Sequence, residues 1–115
     1  MKKLFRTKEQ QRYDTMHSRH SKELVKLAKE THEYDYSWLH ESVITQIKHM
    51  YEYYSAGDNV WQTDETRLPI VEQLQHVLDL NKKLEHAIDE CSDKEPELYK
   101  EIYSYIGEHI MKWWD

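Results

Sequence analysis

Glycine and proline are scarce in this chain, with only two of each among its 115 residues. Sheets joined by tight turns place both residues at turn positions, so their scarcity argues against an all-β architecture. It also excludes the glycine-rich loops that let a backbone approach phosphates, and the glycines that flank the serine of a nucleophile elbow. The composition therefore favours helices joined by a few short turns.

Cysteine is nearly absent as well, and the one thiol, Cys91, excludes an internal disulfide framework. Its neighbours Asp89, Glu90 and Asp93 are acidic, whereas a reactive thiolate needs positive charge close by. The eight histidines form neither a Glu-x-x-His pair nor a His-Glu-x-x-His pair, which are the spacings of dimetal bundles and zinc proteases. We therefore expect no enzyme activity, no catalytic residue, no metal site and no cofactor.

Long apolar runs are also missing. No stretch approaches the ~18–20 apolar residues that span a bilayer, and none follows the basic first residues to complete a secretion signal. We expect a protein that does not enter membranes and that acts in the cytoplasm.

Charge is abundant but unevenly placed. Residues 1–30 carry nine Lys/Arg and four Asp/Glu, whereas residues 31–115 carry seven Lys/Arg and eighteen Asp/Glu. This is a basic arm on an acidic body. The cations of the arm either contact the phosphates of a nucleic acid or serve the chain itself, by pairing with the acidic body or aiding solubility. The candidate nucleic-acid-binding residues are Lys2, Lys3, Arg6, Lys8, Arg12 and Arg19.

Apolar residues recur at helical spacing in four segments, over about 9–31, 38–55, 65–90 and 94–113. Short connections make consecutive helices antiparallel neighbours. We predict an all-α fold: a three- to four-helix bundle built around an antiparallel helical hairpin, with a basic N-terminal helix. The chain is expected to form one domain over residues 1–115, in which 1–31 are the basic helix or arm and 37–115 a three-helix core.

The apolar faces of the helices are specific predictions. The second helix should bury Leu39, Val43, Ile47, Met50 and Tyr54. The third has a heptad seam with one polar member, Asn81. That asparagine either pairs with its own copy across a dimer or faces solvent at the edge of the stripe. A homo-oligomer, with a dimer favoured, follows from the first alternative. The seam consists of Ile70, Leu74, Val77, Asn81, Leu84 and Ile88.

The end of the sequence is rich in tryptophan. Trp113 and Trp114 are consecutive, and neighbours on a helix point ~100° apart, so both cannot enter one core. One of them should therefore reach a partner or another copy, unless Trp114 folds back over the helix end. Trp and Tyr are frequent at binding hot spots. The candidate partner-binding residues are Trp113, Trp114, Tyr103 and Ile110.

The middle of the chain resembles a known group of proteins. An aromatic opening at 36–40 precedes a helix that ends in Met and aromatics at 47–54, then a polar turn at 65–67 and a Leu-rich return helix at 74–84. This pattern, a little under half of the chain, resembles small helical hairpin proteins encoded by tailed bacteriophages. The resemblance implies an accessory protein, made early in infection, that binds a host or phage protein in the host cell cytoplasm. It implies no functional residues.

Three functions are therefore expected in order. The first is a non-enzymatic protein-binding module, an accessory protein that binds and inhibits or redirects a host protein. The alternative is a nucleic-acid-binding protein that uses the basic N-terminal helix. The third is a helical oligomer that binds a small ligand or nucleotide between subunits.

Overall fold

The computed structural model describes residues 7–30 and 34–115, and within these ranges the chain forms helices and no strand. The all-α class predicted from the sequence is confirmed. Lys2, Lys3 and Arg6 of the predicted nucleic-acid site lie outside the described residues. The elements in order are α1 (Lys8–Glu30), α2 (Tyr36–Ala56), α3 (Asp64–Asp89), α4 (Glu95–His109) and a 3₁₀ turn (Ile110–Lys112).

The chain divides into two compact units, residues 1–49 and 50–115, and the division falls inside α2. The expected division lay earlier, between the basic helix that ends at residue 31 and a core that starts at residue 37. Whether the chain folds as one domain stays a prediction.

In the first unit, α1 begins with a reciprocal cap. The backbone N–H of Gln10 donates to the hydroxyl of Thr7 at 3.1 Å, and the N–H of Thr7 donates to the side-chain carbonyl of Gln10 at 2.9 Å. This capping box satisfies two amide groups that the helix start leaves open. The helix itself contains no buried residue. Met16, His20, Leu24 and Leu27 on one side of α1 are half-buried, and Tyr13 on the same side is exposed.

The buried face of α2 differs from the prediction. Leu39 is 59% exposed, whereas His40, Ile44 and Ile47 are buried. The buried face of α2 is therefore shifted by about one residue at the N-terminal end of the helix. His40 faces inward there, whereas apolar periodicity alone favours Leu39. The helix start is held by Asp35, whose carboxylate accepts the N–H of Ser37 at 2.8 Å. Ser37 itself lies inside the helix.

In the second unit, α3 and α4 form an antiparallel hairpin. The ring centroids of His76 and Tyr105 are 4.4 Å apart, and Gln73 contacts Trp113. The earlier residue of α3 thus meets the later residue of the C-terminal segment, as in an antiparallel pair. Ile102 is fully buried and Ile106 nearly so. The hairpin agrees with the predicted arrangement.

The heptad seam of α3 is confirmed except at its end. Ile88 is 42% exposed, and Ala87 faces the core in its place. The regular part of α4 also ends earlier than expected, at His109, so Trp113 follows the 3₁₀ turn rather than closing a long helix. The buried residues of α3 are Ile70, Leu74, Val77, Leu80, Asn81, Leu84 and Ala87.

Gly57 directly follows the last residue of α2. Its φ of +78° lies in the left-handed region, which a glycine adopts without the steric cost of a Cβ. The last turn of the helix is capped from α3, since the guanidinium of Arg67 donates to the backbone carbonyl of Tyr54 at 2.7 Å. Asp64 holds that guanidinium at 3.1 Å. The path of the loop after α2 is thus fixed at its beginning.

Candidate functional site

The carboxylate of Asp115 is bound by the loop between α2 and α3. Its Oδ1 accepts the backbone N–H groups of Trp61 at 2.7 Å and Gln62 at 3.0 Å, and its Oδ2 accepts that of Val60 at 2.8 Å. The hydroxyl of Tyr53 donates to Oδ2 as well. Three successive amide groups that converge on one anion form a backbone nest. We call this arrangement, Asp115 with Tyr53 and residues 60–62, the clasp.

The clasp also holds the peptide backbone before Asp115. The side-chain amide of Gln62 donates to the carbonyl of Trp114 at 2.7 Å. One residue earlier, the indole N–H of Trp113 donates to the side-chain carbonyl of Gln73 on α3 at 2.8 Å. Residues 113–115 are therefore tied to the second unit at three consecutive positions, by hydrogen bonds to both the loop and α3.

The pKa of the Asp115 carboxyl group reflects these contacts. Partial burial raises the pKa of a carboxyl group, but the hydrogen bonds from Tyr53 and from the N–H groups of residues 60–62 stabilise the anion. Together they hold the pKa of Asp115 below its ordinary value. Tyr54 shows the opposite effect, because burial and the nearby Asp115 charge both raise its pKa. The clasp is thus built for a negative charge.

The two terminal tryptophans differ in burial, although both follow the 3₁₀ turn and lie outside the helix on which the prediction placed them. Trp113 is 8% exposed, whereas Trp114 is 59% exposed. The clasp brings a third tryptophan to the same part of the unit, since Trp61 lies in the loop that binds Asp115 and is 71% exposed. Val60 beside it is also exposed. We call the exposed side chains of Val60, Trp61 and Trp114 the Trp surface.

Val60 and Trp61 were not among the residues predicted from the sequence. The available signal was an apolar pair, Val-Trp, inside a loop of otherwise polar residues. Because such a pair belongs to no amphipathic helix, it either covers the core or contacts a partner. Its closeness to Trp114 depends on a contact between positions more than fifty residues apart.

The other two predicted partner-binding residues lie on α4 and the turn that follows. Tyr103 is 37% exposed and Ile110 is 53% exposed. Their seven-residue separation places them on one side of the helix. Burial and the neighbouring Tyr99 raise the pKa of Tyr103, so its hydroxyl stays protonated over the physiological range. No hydrogen bond of the clasp involves either residue, and their role in binding stays a prediction.

Asn81 is buried within the chain, with 6% of its surface exposed, and its amide donates to the carboxylate of Glu85 at 3.1 Å. The interpretation that it faces solvent at the edge of the stripe is therefore wrong. Pairing of Asn81 across a dimer stays a prediction, although its amide N–H already has a partner on its own helix.

The cations of α1 form a second candidate surface. Lys8, Arg12 and Arg19, predicted from the sequence, are exposed along the helix. Lys22, Lys26 and Lys29 continue the same side of α1, and the prediction omitted them. The signal was present in the sequence, because the four-three spacing that selects apolar faces applies equally to charged ones.

Within residues 7–30 and 34–115, no three His, Cys, Asp or Glu side chains are grouped so that they could hold a metal ion. No described helix combines the length and apolarity needed to cross a membrane. Comparison with protein-family models, with curated proteins and with solved structures finds no match. The geometry of the two surfaces therefore carries the functional argument.

Proposed function

We propose that this chain is a non-enzymatic protein-binding module and that it contacts its partner through the Trp surface. The clasp is the observation that supports this proposal most. Its hydrogen bonds hold the backbone of residues 60–62 and of residues 114–115, the two segments that carry the Trp surface. Trp61 and Trp114 each have more than half of their surface exposed. When hydrogen bonds already fix the backbone that carries exposed indole side chains, these side chains lose little conformational entropy as a partner covers them.

The chemistry of the expected partner follows from the surroundings of the Trp surface. Residues 50–115 contain fifteen Asp/Glu and six Lys/Arg, and Asp58 and Asp64 flank the exposed loop in sequence. A complementary partner is a protein with an apolar cleft for the indoles and cationic side chains around it. A positive rim of this kind is also what a nucleic-acid-binding host protein presents.

The biological setting is part of the proposal. An accessory protein of a tailed bacteriophage that binds and inhibits or redirects a host protein fits a small acidic module with an exposed aromatic surface. The partner is then a host or phage protein in the cytoplasm. Self-association as a dimer belongs to the same proposal, since an exposed apolar surface is also available to a second copy.

A paired pull-down tests the surface. The chain is immobilised, exposed to bacterial lysate with and without phage infection, and compared with the double variant Trp61→Ala/Trp114→Ala. The expected result is one or a few proteins that the parent chain retains in defined proportion and that the double variant loses. Recombinant binding measurements on the captured protein should then show a loss of affinity of at least tenfold, as for hot-spot residues.

The matched control is Tyr34→Ala/Tyr36→Ala, which removes two aromatic side chains that are 99% and 67% exposed before and at the start of α2. Circular dichroism must show all variants folded. Equal losses in both double variants, or retention of every partner by the tryptophan variant, would contradict the proposal.

A further inference from the structure

One side of α1 is a continuous row of cations. Starting from residue 8, positions at alternating spacings of four and three residues are basic throughout, except Thr15. All of these side chains are exposed. At 1.5 Å per residue the row extends about 31 Å, with one position roughly every 5 Å. We call it the cationic ridge: Lys8, Arg12, Arg19, Lys22, Lys26 and Lys29.

The ridge is separate from the side by which α1 is held in its unit. His20 stacks on His49 of α2 with ring centroids 3.9 Å apart, and the carboxylate of Glu23 lies 3.3 Å from Nε2 of His49. His49 is buried. The half-buried side chains of α1 share this side, which is roughly a third of a turn away from the ridge on the helix circumference. Attachment of α1 therefore leaves the ridge in solvent.

Two exposed ion pairs join cations of the ridge to acidic residues of α1. Arg12 pairs with Glu9 at 3.9 Å and Lys26 with Glu30 at 4.0 Å. Both pairs join exposed side chains, and such pairs hold their partners weakly in water. A denser array of negative charge can therefore replace both carboxylates.

We infer that the cationic ridge binds the phosphate backbone of duplex nucleic acid without reading its bases. Over about 31 Å of its axis a duplex carries about nine phosphates on each strand, and a straight ridge faces those that lie on its side of the duplex as the strands wind around the axis. The ridge holds six cations over that length, and cations displayed at regular intervals on one exposed helix contact phosphates irrespective of base sequence. A row of cations of this density complements the high negative charge of a duplex surface.

Two other polyanions fit the ridge less well. Single strands are bound by a charged groove together with stacked aromatic rings, and the ridge has no aromatic member. Anionic membranes bind helices that insert a wide apolar face. The apolar side chains of α1 are half-buried in the unit, and beside the ridge only Val25, 55% exposed, is available.

Salt titration of binding tests this inference. Fluorescence anisotropy with a labelled duplex of about 20 base pairs should show binding that weakens linearly with log salt, with a slope of about −4 to −5 if most ridge cations meet phosphates. The triple variant Lys22→Gln/Lys26→Gln/Lys29→Gln should reduce the steepness by about three units, because each lost phosphate contact removes about 0.9. Glutamine keeps the helix propensity of these positions.

The control triple, Lys82→Gln/Lys83→Gln/Lys94→Gln, removes the same charge from exposed positions of the other unit. It should retain the parent slope and affinity. Equal weakening by the two triples would overturn the inference, since net charge rather than the ridge would then govern binding. Absence of duplex binding at low salt would overturn it too. So would tighter binding to a single strand, or to phosphatidylserine vesicles, than to the duplex.

Discussion

The N-terminal helix and the C-terminal clasp present their functional groups in opposite ways. α1 has 23 residues and none is buried, whereas α3 has 26 and buries seven. The ridge on α1 is made by side chains at a fixed spacing on one helix. The clasp is made by backbone amides and the hydroxyl of Tyr53. Its hydrogen bonds to Asp115 join residues that are 53 to 62 positions apart in sequence. A helix can thus display charge by its own geometry, whereas Trp61 and Trp114 come to one part of the second unit through hydrogen bonds between distant segments.

Core substitutions should separate the two regions most strongly. Leu74 is 0% exposed in the second unit, and Leu74→Ala should lower the free energy of unfolding by about 2–5 kcal/mol through lost burial and a residual cavity. Leu24 on α1 is only half-buried, so Leu24→Ala should cost clearly less. Urea denaturation followed by circular dichroism measures both. Equal costs would show that α1 is packed as tightly as α3, contrary to the burial pattern.

Charge at the clasp should have the next largest effect, and it should depend on pH. Asp115→Asn keeps one acceptor oxygen but removes the charge and replaces the other acceptor with an NH2 donor, and hydrogen bonds to an anion are worth about 1.5–3 kcal/mol each when well made and less at a partly exposed site. The pKa of Asp115 is lowered in the folded chain from 3.8. Its contribution is therefore fully present above pH 3.8 and is lost as the pH falls further, through the folded pKa.

The measurement is the difference in unfolding free energy between parent and variant at neutral pH and at several values below pH 3.8. That difference should shrink toward low pH. Asp93→Asn is the control, because Asp93 is an exposed carboxylate in the α3–α4 connection. If Asp115→Asn changed stability no more than Asp93→Asn at neutral pH, the clasp would not contribute to folding.

Part of this organisation could be predicted from the sequence and part could not. The four helices, the core of α3 and the reversal at Gly57 follow from periodicity and from one glycine, which are local properties. Leu39 and Ile88 were assigned to the core wrongly, because periodicity locates a face only to within about one residue, and the packing partners decide between neighbours. Burial of His40 has no apolar signal at all.

The candidate sites divide in the same way. The basic side of α1 was predicted, and its extension to Lys29 needed only the same spacing to be followed further. Trp114 was singled out by its adjacency to Trp113, but its neighbour Trp61 was missed. The link between them is a nest of backbone N–H groups, which any residue type can form, and therefore no side-chain pattern records it. Sequence alone also gives no information on which carboxylate fills that nest.

Two glycine substitutions give the smallest expected effects and compare backbone constraint with backbone freedom in the second unit. Among the described residues, only the guanidinium of Arg67 comes within 4 Å of a Cβ at Gly57, at 3.8 Å, so space is available and the φ of +78° is the obstacle. Gly57→Ala should therefore destabilise by about 1–2 kcal/mol, the cost of a left-handed residue with a Cβ. Gly107 lies inside α4, and a Cβ there meets no atom of residues 7–30 or 34–115 within 4 Å. Gly107→Ala should stabilise by about 0.5–1 kcal/mol, because alanine loses less entropy in a helix.

Changes of opposite sign in the free energy of unfolding, measured by chemical denaturation, are the expected result for Gly57→Ala and Gly107→Ala. If both variants gained stability, the turn after α2 would not require the left-handed conformation, and the loop that forms the nest would have another backbone path.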